Sequence, residues 1–114
     1  MSVRKSVVVN FLKNVRKTIE KGHCKGNLAT DKYGNSISQK DDRACNFCLW
    51  GAMLRTEDRS RAKNPANILE KAEKFIEQSL HKGYDNYIAY NDAPTITKLH
   101  VLQLLDRAIK KAEQ

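Results

Sequence analysis

The 114-residue chain contains no recognisable catalytic signature. His81 and His100 have no serine, cysteine or carboxylate at a spacing that would create a general base or an activated nucleophile. It also lacks a glycine-rich phosphate loop, and its longest apolar run is too short to cross a membrane. These absences favour a binding protein over an enzyme and predict no membrane partner.

The chain contains few cysteines, and their number is odd. Three cysteines suit a reducing compartment better than a disulfide framework. The first apolar run resembles a secretory signal only faintly, because Asn10, Lys13 and Asn14 interrupt it. We therefore expect a cytoplasmic protein. The length is sufficient for one domain with one core, spanning residues 1–114.

Acidic residues are nearly missing from the first 25 positions, which contain seven basic side chains and one acid, Glu20. This segment contributes +6 of the net charge of +8. Such a charge block suits nucleic acid, the phosphates of a nucleotide or an acidic protein surface, whereas the alternative without function is a solvated helix face. The predicted binding residues are Arg4, Lys5, Lys13, Arg16 and Lys17, followed by a second basic cluster of Arg55, Arg59 and Arg61.

Three segments have apolar residues at helical spacing. The first covers about residues 3–21, the second begins at Pro65 and stops at Gly83, and the third follows Thr97 as its cap. Between the last two lies a short aromatic stretch that we expect to be irregular. The periodicity predicts a mainly α protein with minor β structure.

Residues 44–54 are apolar nearly all round, which predicts a buried helix that runs to about Arg55. Asp41 or Asp42 can cap it. Gly51 in its interior is tolerated most readily where another backbone approaches closely. A short segment with Asp early and Gly late, at residues 28–37, predicts a β-hairpin. The predicted fold is therefore a compact four-helix domain with a buried central helix and a hairpin between helices 1 and 2.

Cys45 and Cys48 are separated by two residues, and His23 and Cys24 precede them. Four ligands of these types can form a tetrahedral zinc site. Against this, the cysteine pair lies in the most apolar segment, where cysteine commonly packs as a small hydrophobe. We therefore predict no metal and no other cofactor, with a zinc-stapled module at these four residues as an alternative.

Asn91 and Asp92 precede an Ala-Pro pair, which predicts a tight bend in front of the last helix. Such side chains ordinarily bond to their own backbone and cap the next turn. The alternative is a polar pocket in which Trp50 and Tyr90 join the Asn-Asp pair, because a buried indole N–H needs an acceptor.

Four short motifs follow one another along the chain. They are residues 22–29 (GHCKGNLA) with Asp31 and Gly34, residues 48–52 (CLWGA), residues 90–94 (YNDAP) with Thr97, and residues 102–109. Together they resemble a family of unknown function, DUF6197. The family pattern has tryptophan where this chain has His23, Phe47 and Tyr90, whereas Cys48, Gly51, Ala52, Asn91 and Asp92 match it. Cys24 and Cys45 lie outside the pattern, so a zinc site would be peculiar to this chain.

The resemblance implies a shared arrangement of aromatic residues with the Asn-Asp pair, as a core device or as a ligand pocket. Members of the family occur in bacteria and bacteriophages and have no established activity. With the small size, this implies, as a hypothesis, a non-catalytic phage-type accessory protein in the host cytoplasm. It would inhibit or sequester a host component, for example one of bacterial defence as anti-CRISPR proteins do, through nucleic acid, a nucleotide or another anionic surface. A protein–protein inhibitor without nucleic-acid contact and an uncharacterised enzyme are the alternatives.

Overall fold

A computed structural model describes residues 3–114 as five helices and three short strands. In chain order the elements are α1 (Lys5–Lys21), β1 (Ala29–Thr30), β2 (Ser36–Ile37), β3 (Asn46–Phe47), α2 (Leu49–Asp58), α3 (Pro65–Gln78), α4 (Tyr87–Asp92) and α5 (Lys98–Glu113). The prediction of a mainly helical fold is confirmed. The prediction of four helices is one short, because the six residues of α4 are too few to show an apolar period.

The three long helices α1, α3 and α5 form where the apolar periodicity predicts them, and they pack against one another. Pro65 begins α3, where its missing N–H costs nothing. Thr97 caps α5: the Thr97 hydroxyl accepts the His100 N–H at 3.4 Å, and His100 Nδ1 accepts the Thr97 N–H at 2.9 Å. This reciprocal pair satisfies two backbone donors at the start of the helix.

The predicted hairpin forms, with β1 and β2 antiparallel and Ala29 opposite Ile37. It is part of a larger sheet, because β3 pairs with the other edge of β1 and places Phe47 opposite Ala29. The strand order is β2-β1-β3. Each strand has only two residues, so the sheet depends on the helices packed against it.

The helix α2 begins later than predicted, because residues 44–47 include the strand β3 and Cys48 is the cap. The Cys48 Sγ accepts the N–H of Gly51 at 3.2 Å, a role that we predicted for Asp41 or Asp42. The helix also has a solvent-facing edge, since Trp50 is 39% exposed. The prediction of a helix buried on all sides is therefore wrong at Trp50. Its buried residues are Leu49, Gly51, Ala52 and Met53.

Two glycines allow backbone segments to meet. A Cβ on Gly51 would lie 1.8 Å from the carbonyl oxygen of Leu28, and a Cβ on Gly22 would lie 2.1 Å from that of Cys45. Both separations are far inside van der Waals contact. The prediction that Gly51 marks a close backbone approach is confirmed, and α2 therefore sits directly on the chain entering β1.

Buried side chains from all five helices form one apolar core. Its fully enclosed members include Val15 of α1, Met53 of α2, Ile76 of α3, Tyr90 of α4 and Leu105 of α5. No helix within residues 3–114 combines the length and the apolar character needed to span a membrane.

Candidate functional site

A groove of about 770 Å³ separates α1 from the end of α2 and the connection that follows it. The α1 wall is a polar stripe with helical spacing, while the opposite wall consists of the end of α2 and residues 59–62. Buried apolar residues close the groove, among them Phe11 and Phe47. The residues that line it are Val7, Asn10, Phe11, Asn14, Lys17, Thr18, Lys21, Ala44, Cys45, Phe47, Arg55, Thr56, Arg59, Ser60, Arg61, Ala62 and Ile68.

The groove has a strongly positive lining, with five cationic side chains and no carboxylate. Within residues 3–114, the side chains of Lys17, Lys21 and Arg61 make no ion pair or hydrogen bond. Arg59 Nη2 lies 3.2 Å from Asp42 Oδ1, but the Asp42 side chain is 97% exposed. An exposed pair of this kind is worth about 0–1 kcal/mol, so Arg59 is available to an external anion.

Arg55 is the most firmly held cation of the groove. Its Nη1 donates to the carbonyl oxygens of Gln39 and Asp41 at 2.8 and 2.9 Å, and its guanidinium lies 5.1 Å from the centre of the Phe47 ring. Burial, and then the neighbouring Arg59, lower the pKa of Arg55. The positive charge is therefore incompletely compensated, and an anion in the groove would stabilise it.

The structure brings together half of the predicted binding residues. Lys17 from the first cluster and Arg55, Arg59 and Arg61 from the second line the same groove. The remaining four line no part of the groove; they are the N-cap residue Arg4 and three residues of α1, Lys5, Lys13 and Arg16.

Those four residues lie outside the groove. Arg16 is engaged within the fold: its Nε lies 2.6 Å from Asp106 of α5, and Nη1 contacts Glu20. These contacts raise the pKa of Arg16, chiefly through the hydrogen bond with Asp106. The Lys5 Nζ donates to the carbonyl oxygen of Glu113 at 3.4 Å, while Arg4 is the N-cap residue of α1 and Lys13 is exposed outside the groove.

Asn10, Asn14 and Lys21 line the groove but are not among the predicted binding residues. Asn10, Asn14, Lys17 and Lys21 follow one another at intervals of four, three and four positions, which places them on one stripe of α1. This spacing is visible in the sequence and could have identified Lys21. The meeting of this stripe with residues 55–61 depends on tertiary packing and has no local signal.

Asn91 is a buried connector and not part of a tight bend. It lies in the last turn of α4, 1% exposed. Its Oδ1 accepts the Leu49 N–H at 3.1 Å and lies 2.7 Å from His23 Nε2, while its Nδ2 donates to the carbonyl oxygen of Cys24 at 3.2 Å and to Asp92 Oδ1 at 2.9 Å. One side chain therefore joins α4 to the start of α2 and to the loop after α1.

The other members of the predicted pocket point to different surroundings. Asp92 Oδ1 accepts the N–H of Gly26 at 3.1 Å, which ties the same loop to the end of α4. Tyr90 is buried and packs edge-on against Tyr84, with ring centres 4.8 Å apart. The structure does not place Trp50 with Tyr90 in either the groove or a smaller cavity that Tyr90 lines.

Three of the four candidate zinc ligands, His23, Cys24 and Cys48, make hydrogen bonds within the fold. His23 is bonded to Asn91, and Cys48 caps α2. Burial raises the pKa of the Cys24 thiol to about 11 and also raises that of Cys48. Cys45 is exposed at the groove. In the part of the chain that the structure describes, no three His, Cys, Asp or Glu side chains are arranged to hold a metal ion.

The residues that match the DUF6197 pattern in the sequence lie around Asn91. Cys48, Gly51 and the Asn-Asp pair hold α2, α4 and the loop after α1 together. In a comparison with protein families, residues 4–111 match a family of unknown function (DUF6197). No curated protein and no solved structure matches the chain. Because the family match covers nearly the whole sequence, the chain belongs to the family DUF6197.

Proposed function

We propose that this protein is a non-catalytic binding protein that holds the phosphate backbone of nucleic acid in the groove between α1 and the end of α2. The observation that carries this proposal is the meeting of two cationic clusters, distant in sequence, in one concave surface without a carboxylate. Lysine and arginine side chains at such a surface displace counterions from phosphates, which is the main source of affinity in sequence-independent binding.

The chemistry of the lining supports contact with phosphates and not with bases. The rings of Phe11 and Phe47 are 5% and 4% exposed, so they form a packed wall and offer no surface for base stacking. The polar groups of Asn10, Asn14 and Thr18 add neutral donors beside the cations. We therefore expect binding that depends little on sequence and strongly on salt.

In the cell, the proposed protein acts by binding a target molecule and blocking its use. The family resemblance and the small size support an accessory protein, of phage type, that covers a nucleic-acid component of the host cytoplasm and thereby blocks its use. An inhibitor that contacts only protein would instead use the groove for an acidic protein surface.

Fluorescence anisotropy with labelled duplex and single-stranded oligonucleotides tests the proposal. From three to five phosphate contacts we expect log affinity to fall with log salt at a slope of about −3 to −4.5 on duplex DNA. The Kd should lie between about 10⁻⁴ and 10⁻⁶ M at physiological salt. A flat salt dependence, or no binding at about 50 mM salt, would contradict the proposal.

A matched pair of variants assigns binding to the groove. Lys17→Gln with Lys21→Gln removes two groove cations, while Lys74→Gln with Lys110→Gln removes two exposed lysines on α3 and α5 that lie outside it. The first pair should weaken binding at least about 10-fold and reduce the salt slope by about 2, whereas the second should change the affinity less than about threefold. Equal losses would indicate general electrostatic attraction.

A nucleotide is a second candidate ligand, because about 770 Å³ falls within the usual volume of small-molecule sites, about 300–1,000 Å³. Saturable binding of a free nucleotide, with no affinity for longer oligonucleotides, would favour it. The tryptophan is not the probe for this test, since Trp50 does not line the groove.

A further inference from the structure

The guanidinium of Arg55 has one side held by the fold and one edge left open. Both N–H groups of Nη1 are used, because Nη1 donates to the carbonyl oxygens of Gln39 and Asp41 at 2.8 and 2.9 Å. The N–H groups of Nε and Nη2 have no acceptor among residues 3–114, and neither nitrogen is closed off from solvent. The edge that these two nitrogens form can donate two parallel hydrogen bonds to one anion.

The surroundings of Arg55 fix the position of this open edge. The guanidinium lies over the buried ring of Phe47, 5.1 Å from its centre, and the two carbonyl oxygens that it contacts belong to the segment between β2 and β3. Arg55 also lines the groove, so the edge formed by Nε and Nη2 is the part of the guanidinium left to a ligand there. An anion that binds it meets a donor pair already ordered by the fold.

The carboxylates near Arg55 do not balance its charge. The Asp41 carboxylate accepts a hydrogen bond from Arg43 Nη2 at 3.0 Å, and that of Asp42 lies 3.2 Å from Arg59. Arg59 follows four positions after Arg55 and adds a second positive charge on the same side. Burial, and then the charge of Arg59, lower the pKa of Arg55 despite these acids.

The other cations of the groove have no comparable support. Lys17, Lys21 and Arg61 make no hydrogen bond or ion pair within residues 3–114, and Arg59 makes only its pair with the exposed Asp42. Such side chains supply positive charge without fixing where a phosphate lies.

We propose that Arg55 anchors the nucleic acid in the groove by binding one phosphate through both of its non-bridging oxygens. This inference rests on the proposed function and adds to it a phosphate in a fixed position, with the other cations contacting neighbouring phosphates. The two non-bridging oxygens of a phosphodiester match the two donors of a guanidinium edge. The contact therefore depends on the shape of the arginine side chain and not only on its charge.

The direct test is NMR of the isotope-labelled full chain, in which the Nε–H group of an arginine gives its own signal. The chain is titrated with a short DNA duplex at about 50 mM salt, and a second sample with sodium chloride alone. We expect the Nε–H signal of Arg55 to shift with saturation, at the duplex concentrations that saturate the fluorescence anisotropy. The signal of Arg16, whose Nε donates to Asp106 outside the groove, should stay in place.

Two variants that conserve charge separate the shape of the side chain from its charge. Arg55→Lys and Arg59→Lys both keep a cation in the groove, but only the first removes the guanidinium that the fold holds. Arg55→Lys should weaken duplex binding at least about 10-fold and leave the salt slope within about 0.5 of the wild-type value, whereas Arg59→Lys should weaken binding less than about threefold. Circular dichroism checks the fold of Arg55→Lys, and the NMR test decides without a substitution if this variant does not fold.

An Arg55 signal that stays in place, or that sodium chloride moves equally, while the duplex binds with the expected salt dependence, would overturn this inference and leave the proposed function standing. Equal losses in the two folded lysine variants would do the same. Absence of duplex binding at about 50 mM salt would overturn both.

Discussion

Leu49 and Asn91 lie 42 positions apart and are joined by a hydrogen bond of 3.1 Å, from the backbone N–H of Leu49 to the side-chain Oδ1 of Asn91. Leu49 is the first residue of α2, where backbone N–H groups have no partner within the helix. The side chain of a distant helix supplies that partner. Asn91 of the family motif therefore has a role in the fold.

Replacement of Asn91 by alanine should destabilise the protein by about 2–4 kcal/mol, because the Leu49 N–H and the Cys24 carbonyl oxygen lose their partner in a buried position. Urea denaturation measures this loss. Asn67→Ala, at an exposed position of α3, is the control and should stay within about 0.5 kcal/mol of the wild type. Equal effects of the two substitutions would contradict the connector role.

Gly51→Ala should destabilise the protein by at least about 3 kcal/mol, although alanine normally gains about 1 kcal/mol over glycine inside a helix. The reason is the Leu28 carbonyl oxygen, 1.8 Å from the new Cβ. Thermal unfolding followed by circular dichroism measures the change. Gly34→Ala is the comparison: it has open space around the Cβ but a φ of 84°, and should cost only about 1 kcal/mol. A stabilised Gly51→Ala protein would show that the two segments are not in contact.

His23 should make stability depend on pH. Burial lowers its pKa below the usual 6.5, so the unfolded chain binds a proton more readily than the folded chain. The contribution of His23 is therefore fully present above about pH 6.5 and is lost as pH falls toward the folded pKa.

The measurement is the free energy of unfolding at several values between about pH 7 and pH 5, compared between the wild type and His23→Gln. We expect the wild type to lose stability on acidification and the variant to lose less. Parallel curves for the two proteins would show that His23 titrates as in the unfolded chain.

Arg16→Gln should lower stability by about 0.5–1 kcal/mol and leave nucleic-acid binding within about twofold, because this side chain joins α1 to Asp106 of α5 outside the groove. Asp106→Asn should cost a similar amount, and the double variant should cost less than the sum of the two. A large loss of nucleic-acid binding in Arg16→Gln would show that this arginine belongs to the binding surface.

The parts of the fold that the sequence predicts are those with a long local signal. α1, α3 and α5 each repeat an apolar stripe over three or more turns, and their periodicity survives in the structure. The start of α2 differs from the prediction because residues 44–48, apolar apart from Asn46, can be buried equally well as a strand and a cap. The strand β3 has only two residues, too few for an alternating pattern to be visible.

The sequence also predicts only part of the candidate site. The two basic clusters are evident in composition, and four of their residues line the groove. Nothing in the sequence distinguishes Arg16 from the neighbouring cations, yet its Nε donates a hydrogen bond to Asp106 of α5. A contact over 90 positions has no local signature. The predicted pocket of Trp50 with Tyr90 depended on Trp50 being buried, and its exposure removes that requirement for an internal acceptor.

Backbone amide NMR of the isotope-labelled protein, titrated with a short DNA duplex at about 50 mM salt, locates the nucleic-acid contact without substitutions. We expect saturating chemical-shift changes concentrated at Asn14, Lys17 and Lys21 of α1 and at residues 59–62 across the groove. Changes concentrated on α4 and α5, or none that saturate, would contradict binding in the groove.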